Sequence, residues 1–285
     1  MDPLRTEEIE QAVRLALSED IGSGDVTTLA TVPEQTSAAA LMRAREPLVV
    51  AGLALAEAAF RQLSDAIHID RVMQDGRHAI SGSIILRISG PARALLSAER
   101  VALNFVQRLS GVATLTAQFV EAIKGTGAKI LDTRKTTPGW RRLEKYAVTC
   151  GGAQNHRLGL FDMVLIKDNH LAALKDASPN SIAAAVKGAR TKYPNLKIEV
   201  EADTLEQVEQ AVAAGADMVL LDNMNLGQLR LAVEKCRGRA KTEASGGVNL
   251  ATVGAIAETG VDFISVGALT HSARAVDIGL DFREE

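Results

Sequence analysis

Beyond about residue 128 the chain carries a series of apolar stretches, several of them ending in charged or small polar residues: AKILDTRK, DMVLIKDNH, KIEVEAD, DMVLLDN, KTEASGG and DFISVGA. Helical spacing fills several of the gaps between them. Leu205, Val208 and Val212 fall at i, i+3 and i+7, as do Leu226, Leu229 and Val233, and again Leu250, Val253 and Ala257. Thr204 with Gln207 reads as a capping box, and Gly215, Gly238 and Gly260 close the three helices. GADMVLLD and GVDFISVG both run from a helix-ending glycine through Asp into a short apolar strand, and GLFDMVLIKD is a looser copy. The polar strand ends at Glu201, Asp222, Ser245 and Gly267 recur at intervals of about 22 residues, the length of one βα unit.

Strands too apolar to face water on either side, alternating with amphipathic helices, predict a parallel sheet covered by helices. No G-x-G-x-x-G opens a helix, and polar residues end successive strands instead of clustering at one switch point, which favours a barrel over a doubly wound sheet. KTEASGG has little apolar content and is placed as a strand mainly by its spacing.

The first hundred residues read as a small α+β domain. An N-terminal helix carrying Ile9, Val13, Ala16 and Leu17 leads into a polar loop, EDIGSGDVTT, followed by strand-like pieces at Ala39 to Met42 and Pro47 to Val50. A helix from Leu53 to Leu63 and a hairpin-like GSIILRISG come next, and the helical run ARALLSAERVALNFVQRLSG joins this part to the barrel. The domains expected are therefore 1–110, including the connecting helix and joined by the tail 270–285, and 111–269 for the barrel.

A chain of 285 residues has room for two unequal domains, and 47% hydrophobic residues with 24% charged is ordinary for a globular enzyme. The net charge of −3 and the 3% aromatic content argue against a nucleic-acid partner. The acidic start MDPLRTEEIEQ lacks the apolar core of a signal peptide, and Pro47 to Phe60 is too short to span a bilayer, so no membrane partner is expected. Cys150 and Cys236 are far apart and outside any metal-binding spacing, which fits a cytoplasmic location.

Functional side chains of a parallel barrel sit where strands end. That rule selects Asp132, Arg134, Lys135, Lys167, Asp168, Glu199, Glu201, Asp222, Asn223, Glu243 and Ser245, with Glu199 and Glu201 sharing one strand face. Taken singly an Arg or Lys is mostly a solvated surface group. Several at consecutive strand ends on one rim point instead to an anionic ligand, leaving Glu201 and Asp222 free to hold a metal or hydroxyls. Ser245 to Gly247 and Gly267 to Ala268 follow the last two strands, where such barrels commonly hold a phosphate; ordinary βα turns are the plain alternative. His156, beside Arg157, is a ligand-binding candidate, whereas Cys150, Trp140 and Tyr146 read as packing residues.

The strings EDIGSGDVTT, ERVALNFVQRLSGVAT, DTRKTTPG, KYAVTCGGAQNHRLGL, IKDNH, EVEAD, LLDN, SGG and VGALTHS together resemble the quinolinate phosphoribosyltransferases, over nearly the whole chain. The resemblance implies an incomplete parallel α/β barrel with a smaller α+β N-terminal domain of open-faced sandwich type, assembled as a homodimer with shared active sites. It implies the carboxylating nicotinate-nucleotide pyrophosphorylase reaction of NAD biosynthesis, in which quinolinate and phosphoribosyl pyrophosphate give nicotinate mononucleotide, pyrophosphate and CO2 with Mg2+. By motif, Thr133, Arg134, His156, Arg157 and Lys167 would hold quinolinate, joined by Arg100 of the other subunit. Lys135 would face phosphoribosyl pyrophosphate. Glu201 and Asp222 would serve the ribose hydroxyls and the metal, and Ser245, Gly246, Gly247, Val266, Gly267 and Ala268 the 5′-phosphate. Lys135, Lys167, Glu201 and Asp222 are thereby the catalytic candidates. The anionic substrates predict a strongly cationic pocket.

The residues leave other readings open. A strand-end lysine, Lys167 or Lys135, is the main requirement of a Schiff-base lyase or aldolase barrel. A related phosphoribosyltransferase with another aromatic acceptor, or a non-catalytic binding protein, would use the same cations.

Overall fold

The computed structural model describes residues 3–283, so the outermost residues of the expected N-terminal domain and C-terminal tail lie outside the description. In chain order the elements are α1 (Thr6–Ile21), α2 (Val26–Thr31), β1 (Ser37–Ala44), β2 (Leu48–Val49), α3 (Leu53–Arg61), β3 (His68–Arg71), β4 (His78–Ala79), β5 (Ile84–Pro91) and α4 (Ala92–Ala122). They continue with β6 (Lys129–Leu131), α5 (Arg141–Cys150), β7 (Val164–Ile166), α6 (Asp168–Ala172), α7 (Ser181–Lys192), β8 (Ile198–Ala202) and α8 (Leu205–Ala213). The remainder are β9 (Met218–Asp222), α9 (Leu226–Cys236), β10 (Lys241–Ser245), α10 (Val253–Ala257), β11 (Phe263–Ser265), α11 (Ala268–His271) and β12 (Ile278–Arg283). None of the described helices is long and apolar enough to cross a membrane.

These elements form two compact units. The first comprises the chain up to Ala117, Thr137–Gly152 and the residues from Ser272 on; the second comprises Gln118–Thr136 and Ala153–His271.

In the first unit an antiparallel sheet runs β12-β1-β5-β3, so the last strand of the chain lies beside the first, Ala40 opposite Phe282 and Ala44 opposite Ile278. Met42, Leu86 and Ile88 of this sheet are buried, as are Leu53, Leu55 and Phe60 of α3. Burial of these apolar surfaces supplies most of the drive for folding the unit. GSIILRISG, which alternates like a hairpin, is instead one unbroken strand, because β5 pairs with β1 on one side and β3 on the other and so has no need to turn back. EDIGSGDVTT is likewise only partly loop. Asp25 accepts the Thr28 N–H at 3.0 Å and starts α2, the N-cap contact that makes a six-residue helix tenable.

The first unit runs on along α4 to Ala117 and takes in the residues from Ser272 on. Residues 137–152 belong to the first unit because α5 is tied into it by its own side chains. Trp140 stacks on Phe105 at 5.2 Å, and the Tyr146 hydroxyl donates to Asp75 at 2.6 Å. Arg142 pairs with Glu8 at 3.0 Å, and the fully buried Glu144 accepts from Arg108 at 2.9 Å.

The second unit holds a six-stranded parallel sheet in the order β6-β11-β10-β9-β8-β7. Its first strand pairs with its last, Ile130 opposite Ile264, which is what a barrel gives when one seam is left open. The seam falls between β6 and β7, where a single bridge from Leu131 to Gln154 is made. Thr204 and Gln207 form the expected capping box, and Val208, Leu229 and Val253 are buried on their helices. Leu250 is not helical. Asn249 accepts the N–H groups of Ala251 and Thr252 at 3.0 and 3.2 Å, and this local turn delays α10 until Val253. KTEASGG does form a strand: β10 is paired on both sides, and its polar Thr242 is satisfied by the Asp262 carboxylate at 3.0 Å.

Candidate functional site

The strand ends of the second unit enclose a cavity of about 670 Å³, within the range of small-ligand sites. Arg134, Lys135, Arg157, Lys167, Glu201 and Asp222 all line it, together with Thr133, His156, Ser245, Gly246, Gly247, Gly267 and Ala268. Residues as far apart in sequence as Thr133 and Ala268 are thus brought to one mouth. Arg100 belongs to the first unit, where it is exposed on α4. Val266 does not face the cavity as expected for a phosphate contact: it is buried, and its N–H donates to the Leu131 carbonyl at 2.9 Å, continuing the β6–β11 ladder.

The wall is built from the strands outward. Asp132, fully buried at the end of β6, accepts the His156 N–H at 2.8 Å and the Asn155 side-chain amide at 2.7 Å, so the segment filling the seam is pinned to β6. Arg157, next along, donates to the Met163 carbonyl at 3.3 Å just before β7. Burial, with the neighbouring Arg134 charge, lowers the Arg157 guanidinium from its ordinary range. Lys167 follows β7 and is ion-paired with Glu201.

The carboxylates follow around the rim. Glu199 and Glu201 point the same way from β8, as their spacing requires, but at different depths: Glu201 lines the cavity and Glu199 is fully buried beneath it. Burial raises the Asp222 carboxyl, and the charges of Glu201 and Asp203 raise it further. The cavity is therefore not uniformly cationic. Its lining sets Arg134, Lys135, Arg157 and Lys167 against Asp132, Glu201, Asp222 and Glu243. These four cations come from the two strands flanking the seam and the segment between them. The acids are interleaved with them: Glu201 stands on β8, the neighbour of β7, and pairs with Lys167, Asp132 ends β6, and Asp222 and Glu243 come from β9 and β10 further round the rim.

Glu199, Glu243 and His156 form a buried group to which position alone gave no role. His156 Nε2 lies 2.9 Å from Glu199 and 3.3 Å from Glu243, while its Nδ1 accepts the Arg157 N–H at 2.7 Å. Both ring nitrogens are thus engaged within the wall. Burial alone would lower this imidazole, but the two carboxylates outweigh it and raise it to about 10. Burial and the Glu243 charge push Glu199 up, against the pull of His156. The three side chains could together hold a metal ion. In the neutral ring Nδ1 accepts the Arg157 N–H and the proton sits on Nε2; protonation, which the two carboxylates favour, gives up that contact, so neither form leaves an Nε2 lone pair for a metal.

On the remaining side the two turns offer donors. Among the described residues the N–H groups of Gly246, Gly247, Gly267 and Ala268 have no acceptor, and all four residues line the cavity. Lys135 reaches this side as well. Its carbonyl accepts the Thr270 hydroxyl at 2.7 Å, and its side chain passes Gly267.

Residues 25–110 match the model of the quinolinate phosphoribosyl transferase N-terminal domain, and residues 112–281 match that of the C-terminal domain. The chain is 46% identical over 278 residues to a nicotinate-nucleotide pyrophosphorylase [carboxylating] of Mycobacterium leprae, covering 94% of this chain and 95% of that one. It is 44% identical to a probable nicotinate-nucleotide pyrophosphorylase [carboxylating] of Bacillus subtilis, covering 92% and 89% respectively. Among solved structures, the nicotinate-nucleotide pyrophosphorylase of Francisella tularensis superposes with a TM-score of 0.93 at 40% identity, covering 99% of this chain and 98% of its own.

Proposed function

Because this chain belongs to the quinolinate phosphoribosyltransferase family, we propose that this cavity mouth carries out that family's reaction. The chain is a pentosyltransferase that converts quinolinate and phosphoribosyl pyrophosphate to nicotinate mononucleotide, pyrophosphate and CO2 in NAD biosynthesis. The observation that carries the assignment of parts is the convergence in one mouth of four cations from the seam, the Glu201 and Asp222 carboxylates, and unpaired turn amides.

Arg134, Arg157 and Lys167 take the two carboxylates of quinolinate, with Thr133 beside them. His156 has both nitrogens engaged and supports Arg157 from behind. Glu201 and Asp222 receive the ribose hydroxyls, the amides of Gly246, Gly247, Gly267 and Ala268 receive the 5′-phosphate, and Lys135 faces the pyrophosphate. The pyridine nitrogen attacks C1 of the ribose and the bond to pyrophosphate breaks. No general base is needed for this step, since the ring nitrogen already carries a lone pair. The nearby carboxylates stabilise positive charge developing at C1. The C2–carboxylate bond then breaks to release CO2, leaving its electron pair on C2 beside the quaternised nitrogen until a proton replaces it. A Schiff-base role for Lys167 is disfavoured by its ion pair with Glu201, which holds the charged ammonium that such chemistry must discharge.

Four cations balanced by four carboxylates leave too little positive charge for two polyanionic ligands. Mg2+ and a second copy of the chain make up the difference. The mutually repelling carboxylates of Glu201 and Asp222 fit a hard cation that keeps most of its ligands as water or phosphate oxygens, and such an ion neutralises departing pyrophosphate. The exposed Arg100 of a homodimer partner adds a fifth cation. Two free, buried cysteines suit a reducing, cytoplasmic setting.

The test is incubation with Mg2+, phosphoribosyl pyrophosphate and carboxyl-labelled quinolinate. Labelled CO2 is expected only when all three are present, and no release would overturn the assignment. Mixing Arg100→Ala with Lys167→Ala protein should restore activity that neither variant has alone if sites are shared.

A further inference from the structure

Asn223 is the only non-glycine among the described residues with a positive φ, 53°. A side chain in that left-handed region is unfavourable, and asparagine is among the few residues that tolerate it, so something nearby must hold the backbone there. Three contacts do so. Asp222 stands opposite Ser245 where β9 and β10 end, and one step further the Asn223 N–H donates to the Ser245 carbonyl at 3.0 Å. The Asn223 side-chain amide donates to Asp222 Oδ2 at 2.7 Å. The third contact is steric: a Cβ on Gly246 would stand 2.6 Å from Asn223 Cγ and 2.9 Å from Asn223 N. The close approach needs glycine there, and Gly246 itself has a φ of 98°.

We propose that Asn223 is a positioning residue that clasps Asp222 to the Ser245–Gly247 turn, so that the carboxylate and the amide donors on this side of the cavity move as one body. Which ligand parts they meet rests on the function proposed above, where Asp222 serves the ribose and the turn serves the 5′-phosphate. The amide donor matters as much as the shape. It fixes one oxygen of Asp222 and leaves Oδ1 for the ligand. An aspartate at 223 would accept the left-handed conformation but would add a like charge and donate nothing. The quinolinate side, built on the seam, does not pass through Asn223.

Asn223→Gly keeps the backbone conformation and removes only the amide. Its expected effect is a KM for phosphoribosyl pyrophosphate raised by about tenfold or more, the loss typical of a hydrogen bond to a charged group, with the KM for quinolinate unchanged. Asn223→Asp should show the same split. Hydrogen exchange of the unliganded protein supplies a second readout. The amide of residue 223, which donates to the Ser245 carbonyl, should exchange about tenfold faster relative to its intrinsic rate in Asn223→Gly, while those of β8 stay as they are. Gly246→Ala, which forces the same contact apart from the other side, should reproduce both effects. Exchange needs no substrate, so the clasp is decided even if wild-type protein releases no labelled CO2 and the functional reading fails. Unchanged exchange of the residue 223 amide, or a KM for phosphoribosyl pyrophosphate that does not move selectively in a wild-type-active enzyme, would overturn the proposal.

Discussion

His156→Ala tests the buried side of the cavity wall. The replacement takes away the imidazole that faces Glu199 and Glu243, whose relative exposures are 0% and 1%. Among the described residues Glu199 Oε1 and both Glu243 oxygens already lack a hydrogen-bond partner, so the variant leaves the two carboxylates with only the charge of Arg157 near Glu199 to offset them. Breaking a buried pair from one side typically costs about 3–5 kcal/mol. The raised imidazole gives a similar figure: a change from 6.5 to about 10 corresponds to about 5 kcal/mol. Taking about 3 kcal/mol, since the neighbouring carboxylates relieve part of the loss by binding protons, thermal unfolding should fall by about 6–12 °C at pH 7. The sign of the pH dependence follows from the direction of the shift. A group whose value is raised on folding stabilises fully below its unfolded value of 6.5, and that contribution disappears as pH climbs through about 10. The gap between wild type and variant should therefore be wide at pH 7 and narrow by pH 10. Scanning calorimetry across this range is the measurement. Melting temperatures within about 2 °C at pH 7, or a gap of constant size to pH 10, would refute the charged-trio account.

Arg134→Ala and Lys167→Ala should each lower labelled CO2 release by about 100-fold or more with an unchanged far-UV circular dichroism spectrum; turnover near wild type in either would remove that side chain from the site. Gly111→Ala should loosen the C-terminal segment, because the added methyl would overlap the Arg274 carbonyl oxygen and lie within 3.0 Å of its carbon. A destabilisation of about 1–3 kcal/mol and faster proteolysis after Ser272 are expected, and an unaltered digestion pattern would count against the contact. Burial pushes the Cys150 thiol up to about 12 and the Cys236 thiol up to about 11. Neither should react with Ellman's reagent in the native protein at pH 8, and both should do so in denaturant.

The parallel half of the fold was legible in the chain because its information is local. A βα unit repeats at a fixed interval, a helix buries the third and seventh positions after its first apolar residue, and a strand turns every second residue the same way. The interval located the ends of β8 to β11, and the two-residue spacing of Glu199 and Glu201 fixed their common face. Strand-end position brought Arg134, Lys167, Glu201 and Asp222 under suspicion before any of them had a neighbour in space, and the motif resemblance added Arg157.

What the chain could not specify locally was which distant group each of these would meet. Glu199 and Glu201 are equivalent in spacing, yet one is buried against His156 and the other pairs with Lys167, because the depth of a layer is set by the curvature of the whole sheet. Residues 137–152 lie between two barrel strands in sequence and pack with the first unit, a preference expressed only through partners such as Asp75, Phe105 and Glu8. β5 alternates like a hairpin and remains single because strands from remote parts of the chain occupy both its edges. The pairing of cations with acids around the mouth arises the same way. Curling of the sheet brings strand ends from distant parts of the chain to one rim, and the order that puts β6 beside β11 is a long-range pairing that no local period encodes.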